Sequence, residues 1–446
     1  MPEVREDKAV KQIASEDPLA LPDIESVLDR LLSLGENGVV KSVDTLICQA
    51  VHHRASDLHL EPWRDCLSLR YRLDGVLHEI AMLPKKYQEK VVARVKVLAN
   101  MIPYQKEIPQ DGRIDGHKDR LNRALRASTF PTIHGEKVVI RILDSQQDLL
   151  RLDSLGFLDQ VVIGLRKLVF KPQGTLLLTG PSSAGKTTTI YALLRELMVL
   201  HASSRHIVTV EDPVEYQLGR VSQSQISPQL GFTFEMAFRA LLRQDPDVIM
   251  IGEIRDPETA RTAIQAGLTG HLVISTIHSG SSAGVFTRLL DMGIEPFLAA
   301  SSVSGVLSQR LVRSNCIHCK QPYKPEPALR VQYGLPERGV KYRRGIGCEE
   351  CRGIGFRGRT AIGELLKVDD VLADLVLTRA RTSVLHETAL ETGMTTLLEH
   401  GVQKAAEGIT TIEELRLAIP PPDIVENAPK RRANSRPKKK NGAQQR

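Results

Sequence analysis

Eight residues, Gly180-Pro-Ser-Ser-Ala-Gly-Lys-Thr187, carry the most specific chemistry in the sequence. They fit Gly-x-x-x-x-Gly-Lys-[Ser/Thr] without a mismatch. Gly180 and Gly185 free the backbone to turn, so that N–H groups along Pro181, Ser182, Ser183, Ala184 and Gly185 point inward (proline excepted). Those groups, Lys186 and the start of the next helix at Thr188 can hold the β- and γ-phosphates of ATP. The Thr187 hydroxyl is placed to ligate Mg2+. A glycine-rich turn alone could give the pattern by chance. Its context argues otherwise: an apolar run at 175–179 precedes it, and a helical stretch at 188–200 follows, with Ile190, Leu193, Leu194 and Leu197.

ATP hydrolysis also needs a carboxylate to orient or deprotonate the attacking water. Glu253 ends the apolar run 248–252 and resembles the acid of a Walker B strand, with Gly252 at the usual Asp position. Glu211, Asp212 and Glu215 form a second acidic group, and any of them could share that role. The plain alternative is that these carboxylates cap helices or pair with Arg243 or Arg255. His278 follows the apolar run 273–277; it either hydrogen-bonds the γ-phosphate, orients Glu253, or is a satisfied structural histidine.

Of six cysteines, four form two Cys-x-x-Cys pairs, Cys316/Cys319 and Cys348/Cys351. Each pair can offer two thiolates from one tight turn, and two turns complete a tetrahedral Zn2+ shell. Gly345, Gly347, Gly353 and Gly355 suit such a turn. A redox pair, or thiols without a metal, is the rival reading. Cys48 and Cys66 sit in apolar patterns and are expected to be buried as small hydrophobes. The opening residues lack the apolar core of a signal peptide, so a reducing cytosol is expected.

These groups must be positioned by something. From 175 onward, strand and helix patterns alternate, the sign of a parallel sheet. Strands are expected at 176–179, 207–211, 248–252 and 272–276. Ligands of such sheets lie beyond the carboxyl ends of the strands, so Glu211-Asp212, Glu253 and His278 should converge on Gly180. Before 150 the pattern differs. Leu67, Leu69, Tyr71 and Leu73 alternate with polar residues, and Asp74-Gly75 is a hairpin turn into 76–80. A helix is expected from Pro84 to Ile102, with Val91, Val95, Leu98 and Ile102 inward, and strands at 125–129 and 137–143. The stretch 24–34 reads as a short amphipathic helix packed on the next domain, with a docking helix as the alternative. The net charge of +7 misleads, because residues 429–446 hold eight basic residues and no acid, and removing them leaves −1. That near-neutral body and 4 % aromatics argue against a nucleic-acid channel. No stretch of 18 apolar residues offers a membrane span.

Several blocks, in order, resemble the ATPases of type II secretion and type IV pilus assembly. They are Ala55-Ser-Asp-Leu-His-Leu-Glu-Pro62, Gln110-Asp-Gly-Arg113, His134-Gly-Glu-Lys-Val-Val-Ile-Arg141, Val210-Glu-Asp-Pro-Val-Glu-Tyr216, the stretch 242–256 and Gly270-His-Leu-Val-Ile-Ser-Thr-Ile-His278. The tetracysteine block follows and closes on Gly358-Arg-Thr-Ala-Ile-Gly-Glu-Leu365. The resemblance covers roughly 40–418. It implies an α/β fold: a RecA-like phosphate-loop core with a parallel sheet, preceded by a smaller α+β domain and carrying a zinc-binding insertion. It further implies a cytoplasmic homohexamer, peripheral at the inner membrane, that meets platform and docking proteins and couples ATP hydrolysis to adding pilin-like subunits. Direct nucleic-acid binding is not expected.

In that family, arginines of the N-terminal domain reach the nucleotide. Arg113 and Arg126 lie in the matching segments, with Arg141 a weaker candidate. Retraction-type members lack the tetracysteine block, so assembly or secretion is favoured. Ser182-Ser183-Ala184 stands where Thr-Gly-Ser is usual, and Ser279-Gly280-Ser281-Ser282 where Thr-Asn-Asp-Ala is common. The expected division is a short segment 1–40, an α+β domain 41–150, the ATPase core 151–310, the zinc segment 311–365, a helical segment 366–420 and a basic tail 421–446. Two other classes stay open: a scaffold gated by nucleotide without turnover, and a RecA-like nucleic-acid motor.

Overall fold

The computed structural model describes residues 24–114, 125–142, 151–201, 205–335 and 339–419. The basic tail, Leu143 and all residues before 24 lie outside them.

The N-terminal part begins with helices α1 (Ile24–Leu32) and α2 (Glu36–His52), then strands β1 (Asp57–Pro62), β2 (Cys66–Leu73) and β3 (Val76–Pro84). Helix α3 (Gln88–Leu98) and strands β4 (Gln110–Ile114), β5 (Leu125–Thr132) and β6 (Gly135–Ile142) complete it. The strands form one sheet in the order β3-β2-β1-β6-β5-β4. Every neighbour is antiparallel. As the alternation predicts, Leu67, Leu69, Tyr71 and Leu73 face inward, and Asp74 and Gly75 take the positive φ values (47° and 90°) of the tight turn. The three helices cover the apolar face, so the other face is left to charged side chains.

One expectation holds here and two need correction. Helix α1 buries Ile24, Leu28, Leu31 and Leu32, and it packs on α2 and β3. Its apolar face is thus occupied within the chain, as the reading of a short helix packed on the next domain expects. Cys48 is exposed and Cys66 only partly covered. In α2 the inward positions are Val39, Val43, Leu46, Ile47 and Ala50, and Cys48 falls on the opposite side of that stripe. Helix α3 stops at Leu98, Asn100 turns to φ 56°, and Ile102 is exposed. The chain reverses there instead of continuing the 3.6-residue period.

The second part carries α4 (Asp159–Val169), β7 (Gly174–Thr179), α5 (Lys186–His201), β8 (Ile207–Glu211), β9 (Ser222–Gln225), α6 (Phe234–Leu241), β10 (Val248–Ile254), α7 (Pro257–Leu268) and β11 (Leu272–Ile277). After α8 (Gly284–Asp291) and α9 (Pro296–Ser302) come the long strands β12 (Val303–Asn315) and β15 (Phe356–Lys367). Between these two sits the cysteine segment with β13 (Lys320–Pro322) and β14 (Arg343–Gly345). The sheet order is β15-β12-β7-β11-β10-β8-β9. All pairs are parallel except β12–β15. This is the expected α/β fold. Strands β7, β8 and β11 are buried at every position because helices cover both faces, which is why they read as unbroken apolar runs. Leu177, Ile249, Ile251 and Val273 pack on one side; Leu176, Leu178, Met250 and Ile274 pack on the other.

The two parts touch through the cysteine segment. Arg352 Nη1 donates to the His53 carbonyl at 3.3 Å, and Gly358 N donates to Asp74 Oδ2 at 2.9 Å. Ile354 packs against the N-terminal core.

Candidate functional site

Strand β7 ends at Thr179, and the chain then turns through Gly180 (φ 148°), Ser183 (φ 62°) and Gly185 (φ 83°) into α5. The Gly180 conformation is closed to ordinary side chains, and a Cβ there would also lie 2.4 Å from the Gln309 carbonyl oxygen. Lys186 folds back over the loop, with Nζ donating to the carbonyls of Gly180 and Pro181, both at 2.9 Å. Burial lowers its pKa from the ordinary lysine value, nearby Glu253 opposes this, and Arg310 adds to the lowering. Pro181, Ser182 and Ser183 are exposed, and Ala184 is buried. Gly185, Thr187 and Thr188 are partly exposed.

The expected convergence is met at two of three strand ends. Glu253, near the end of β10, pairs with Arg255 through one oxygen, and its Oε2 lies 3.7 Å from His278 Nε2, just past β11. The pairing with Arg255 is thus real, yet the carboxylate still faces the loop closely enough to act on Lys186. Thr179 Oγ1 ties β7 to the segment after β11: it donates to Ser279 O at 2.9 Å and accepts from Ser279 N at 3.0 Å.

Glu211 is placed differently. It is 2 % exposed and fully engaged. Tyr191 donates to Oε2, while Thr209 Oγ1 and Gln223 Nε2 donate to Oε1 at 2.5 and 3.1 Å. It thereby ties α5 to β8 and β9. Glu215 is half-buried, which pushes its carboxyl above the usual range. Arg141 and Arg126 pull it back, and Glu211 adds to the rise.

Those arginines come from the N-terminal sheet, where register gathers them. Arg113 on β4 lies opposite Arg126 on β5, Arg126 opposite Arg141 on β6, and Arg141 opposite Asp57 on β1. Directly opposed residues share a face, so three arginines form one row. Asp57 anchors one end, pairing with Arg141 at 3.1 Å and Arg72 at 3.3 Å. Within that row, Arg126 and Arg141 act on Glu215 of the core.

Cys316, Cys319, Cys348 and Cys351 bring four sulfurs within 4.8 Å of one another. Nearest pairs stand at 3.7–3.8 Å. A disulfide would need about 2.05 Å. A tetrahedron with Zn–S bonds of about 2.3 Å has edges of about 3.8 Å, so the donor set fits zinc. Cys348 N and Gly355 N both donate to Cys351 Sγ at 3.2 Å. Burial would raise the Cys351 thiol, but those backbone groups and the neighbouring sulfurs outweigh it and bring it down to about 7. Gly345 and Gly355 are needed for close approach: a Cβ on Gly345 would lie 1.8 Å from the Gly355 oxygen.

Sequence reasoning missed what β12 contributes. Gln309 Nε2 donates to Ala184 O at 2.7 Å, bracing the loop from below. Arg310 lies beside Gly180. The signal was the polar pair Gln309-Arg310 set within the apolar run of 303–312.

Residues 33–417 match the model of the family described as "Type II/IV secretion system protein". The chain belongs to this family. It is 43 % identical over 397 residues to the type II secretion system ATPase E of Vibrio cholerae, covering 89 % of this chain and 77 % of the relative. It is 41 % identical over 409 residues to the type IV pilus assembly ATPase PilB of Thermus thermophilus, covering 91 % of this chain but only 45 % of that longer relative. Among solved structures, the fold resembles the Legionella pneumophila ATPase DotB, with a TM-score of 0.60, 18 % identity and coverage of 84 % and 94 % of the two chains. It also resembles the pilus retraction motor PilT with bound ADP, with a TM-score of 0.57, 24 % identity and coverage of 86 % and 98 %. No helix among the described residues is long and apolar enough to cross a membrane.

Proposed function

We propose that the chain is an ATPase that couples ATP hydrolysis to assembly of a pilus or pseudopilus in a type II secretion or type IV pilus machine. The observation that carries this reading is the placement of Lys186 in its glycine loop beside the Glu253–His278 pair, at the carboxyl ends of β7, β10 and β11.

Loop N–H groups and Lys186 bind the β- and γ-phosphates, and Thr187 holds Mg2+, which neutralises charge on the transferred phosphate. Glu253 orients and deprotonates the attacking water, and His278 steadies the free carboxylate oxygen. The contact of Glu253 with the exposed Arg255 uses one carboxylate oxygen and leaves the second available. Glu211 positions α5 against β8 and does not meet water. The arginine row of the N-terminal sheet supplies cations to a nucleotide once that domain closes, with Arg126 and Arg113 the candidates, while Arg141 and Arg126 act electrostatically on Glu215 of the core. Zinc held by the four cysteines fixes the segment between β12 and β15.

The working assembly is a cytoplasmic homohexamer, peripheral at the inner membrane through platform and docking proteins. The division into N-terminal domain, core, zinc segment, C-terminal helices and basic tail belongs to the same reading. Lys186→Ala tests it: hydrolysis should vanish and ATP binding weaken, measured by phosphate release and by titration with labelled ATP. Wild-type turnover in that variant refutes the assignment of the loop. Wild-type protein that binds ATP without turnover points to a nucleotide-gated scaffold.

A further inference from the structure

The phosphate loop is flanked by a cation that the reading above does not use. Arg310 projects from β12, whose preceding residues pair with β7 up to Ser308 opposite Thr179. That register carries Arg310 past the end of β7, next to the first loop glycine. A Cβ built on Gly180 would lie 3.2 Å from Arg310 Nη1, and this same nitrogen donates to Gln309 O at 3.0 Å. The guanidinium is half-buried, and among the described residues it has no carboxylate within 4 Å. Glu364 is near enough to act on it electrostatically, but that carboxylate is buried and accepts a hydrogen bond from Ser282.

A half-buried guanidinium without a contact ion pair is costly. Here it stands beside a second partly desolvated cation, Lys186. Among the described residues Glu253 is the carboxylate that acts on Lys186. Among the described residues neither cation has a carboxylate in direct contact, so both are placed to take an anion. Lys186 caps the carbonyls of Gly180 and Pro181, and a phosphate-loop lysine serves the β- and γ-phosphates. Arg310 adjoins the same Gly180 turn that Lys186 caps.

We propose that Arg310 is a built-in cation for the γ-phosphate, supplied by the same chain that holds the loop, so that the site distinguishes ATP from ADP before any N-terminal arginine arrives. The proposal rests on the nucleotide-site reading above. Glu364 and Ser282 hold it in register: Glu364 faces Ser308 across the β12–β15 ladder, and Ser282 anchors that acid to the segment after β11.

The test compares adenylyl imidodiphosphate with ADP by calorimetric titration, using wild type, Arg310→Met and Arg310→Lys. A charge-assisted hydrogen bond lost from a half-buried site should weaken the triphosphate analogue about tenfold to a hundredfold. ADP affinity should stay within about twofold, and lysine should restore part of the loss, because it keeps the charge but not the fork. Equal weakening for both nucleotides in Arg310→Met and Arg310→Lys overturns the proposal, since it marks a collapsed loop. Unchanged affinity for both, with only a lower melting temperature, overturns it as well and leaves Arg310 structural. Wild-type protein that binds neither nucleotide removes the phosphate-loop reading itself, and the Arg310 assignment with it. Binding by wild type with an indifferent Arg310→Met removes only the inference.

Discussion

Glu211 and Glu253 offer a double dissociation between stability and turnover. Replacing Glu211 with Gln keeps size but exchanges one acceptor oxygen for an NH2 group. The carboxylate now accepts from Tyr191, Thr209 and Gln223 inside a pocket that is 2 % exposed. Gln223 has a second acceptor in Tyr216 O at 3.2 Å, so one hydroxyl, from Tyr191 or Thr209, is left facing a donor. A buried donor deprived of its acceptor costs about 1–3 kcal/mol. At about 2–4 °C per kcal/mol for a domain of this kind, the melting temperature should fall by about 2–12 °C. Turnover below that transition should stay near wild type. Glu253→Gln should behave in the opposite way. Its partner Arg255 is 65 % exposed in its side chain, and such a pair contributes about 0–1 kcal/mol. Stability should hardly move, while loss of the base lowers turnover about 10²- to 10⁴-fold and lets ATP bind and persist. Differential scanning fluorimetry and phosphate release on the same preparations read both axes. Wild-type turnover in Glu253→Gln, together with a dead but fully stable Glu211→Gln, would refute the assignment and make Glu211 the base.

Three further outcomes are expected. Purified protein should carry about one Zn2+ per chain by elemental analysis; Cys348→Ser should release it and loosen the segment between β12 and β15 more than the phosphate loop, and freshly reduced wild type without zinc sinks the site. Arg113→Ala and Arg126→Ala should keep nucleotide affinity while turnover falls on the order of 10³-fold; if the arginines serve a neighbour's site, mixing either variant with Lys186→Ala subunits should restore some activity, and mixed rings that stay dead at every ratio count against delivery between subunits. His53 is held well down, to about 4, first by burial and then by Arg352 and His52; because its folded pKa lies below the ordinary 6.5, the unfolded chain takes up the proton first, so stability contributed at neutral pH is lost as pH falls from 6.5 toward 4. His53→Gln should flatten that part of the melting-temperature profile, and an unchanged slope refutes the histidine as its source.

What the sequence made legible was local. The loop at Gly180 is a contiguous pattern, and β7, β8, β10 and β11 announce themselves as apolar runs because helices cover both faces of the sheet. The two cysteine pairs carry their turn chemistry with them. Hidden features depend on pairing at a distance. Strand β12 meets its antiparallel partner β15 only after the inserted cysteine segment, and Gln309 and Arg310 gain meaning only once β12 lies beside β7. Glu211 looked like a catalytic candidate because a carboxylate at a strand end is what such a site needs. Its three donors come from α5, β8 and β9, and no spacing rule joins them.

The arginines show how far register alone can reorganise a reading. Arg113, Arg126 and Arg141 are scattered in sequence, and each by itself is an ordinary surface residue. Antiparallel pairing across β4, β5 and β6 sets them side by side, and adjacent like charges repel unless something repays them. Asp57 repays Arg141 at one end of the row, and Glu215 of the core draws on Arg126 and Arg141. A phosphate chain carries more negative charge than one half-buried carboxylate, so a nucleotide brought within reach competes with Glu215 for the row. On the proposed reading, the nucleotide favours closure of the N-terminal domain only through contacts it makes better in the closed state, because a ligand shifts such an equilibrium by its differential affinity alone.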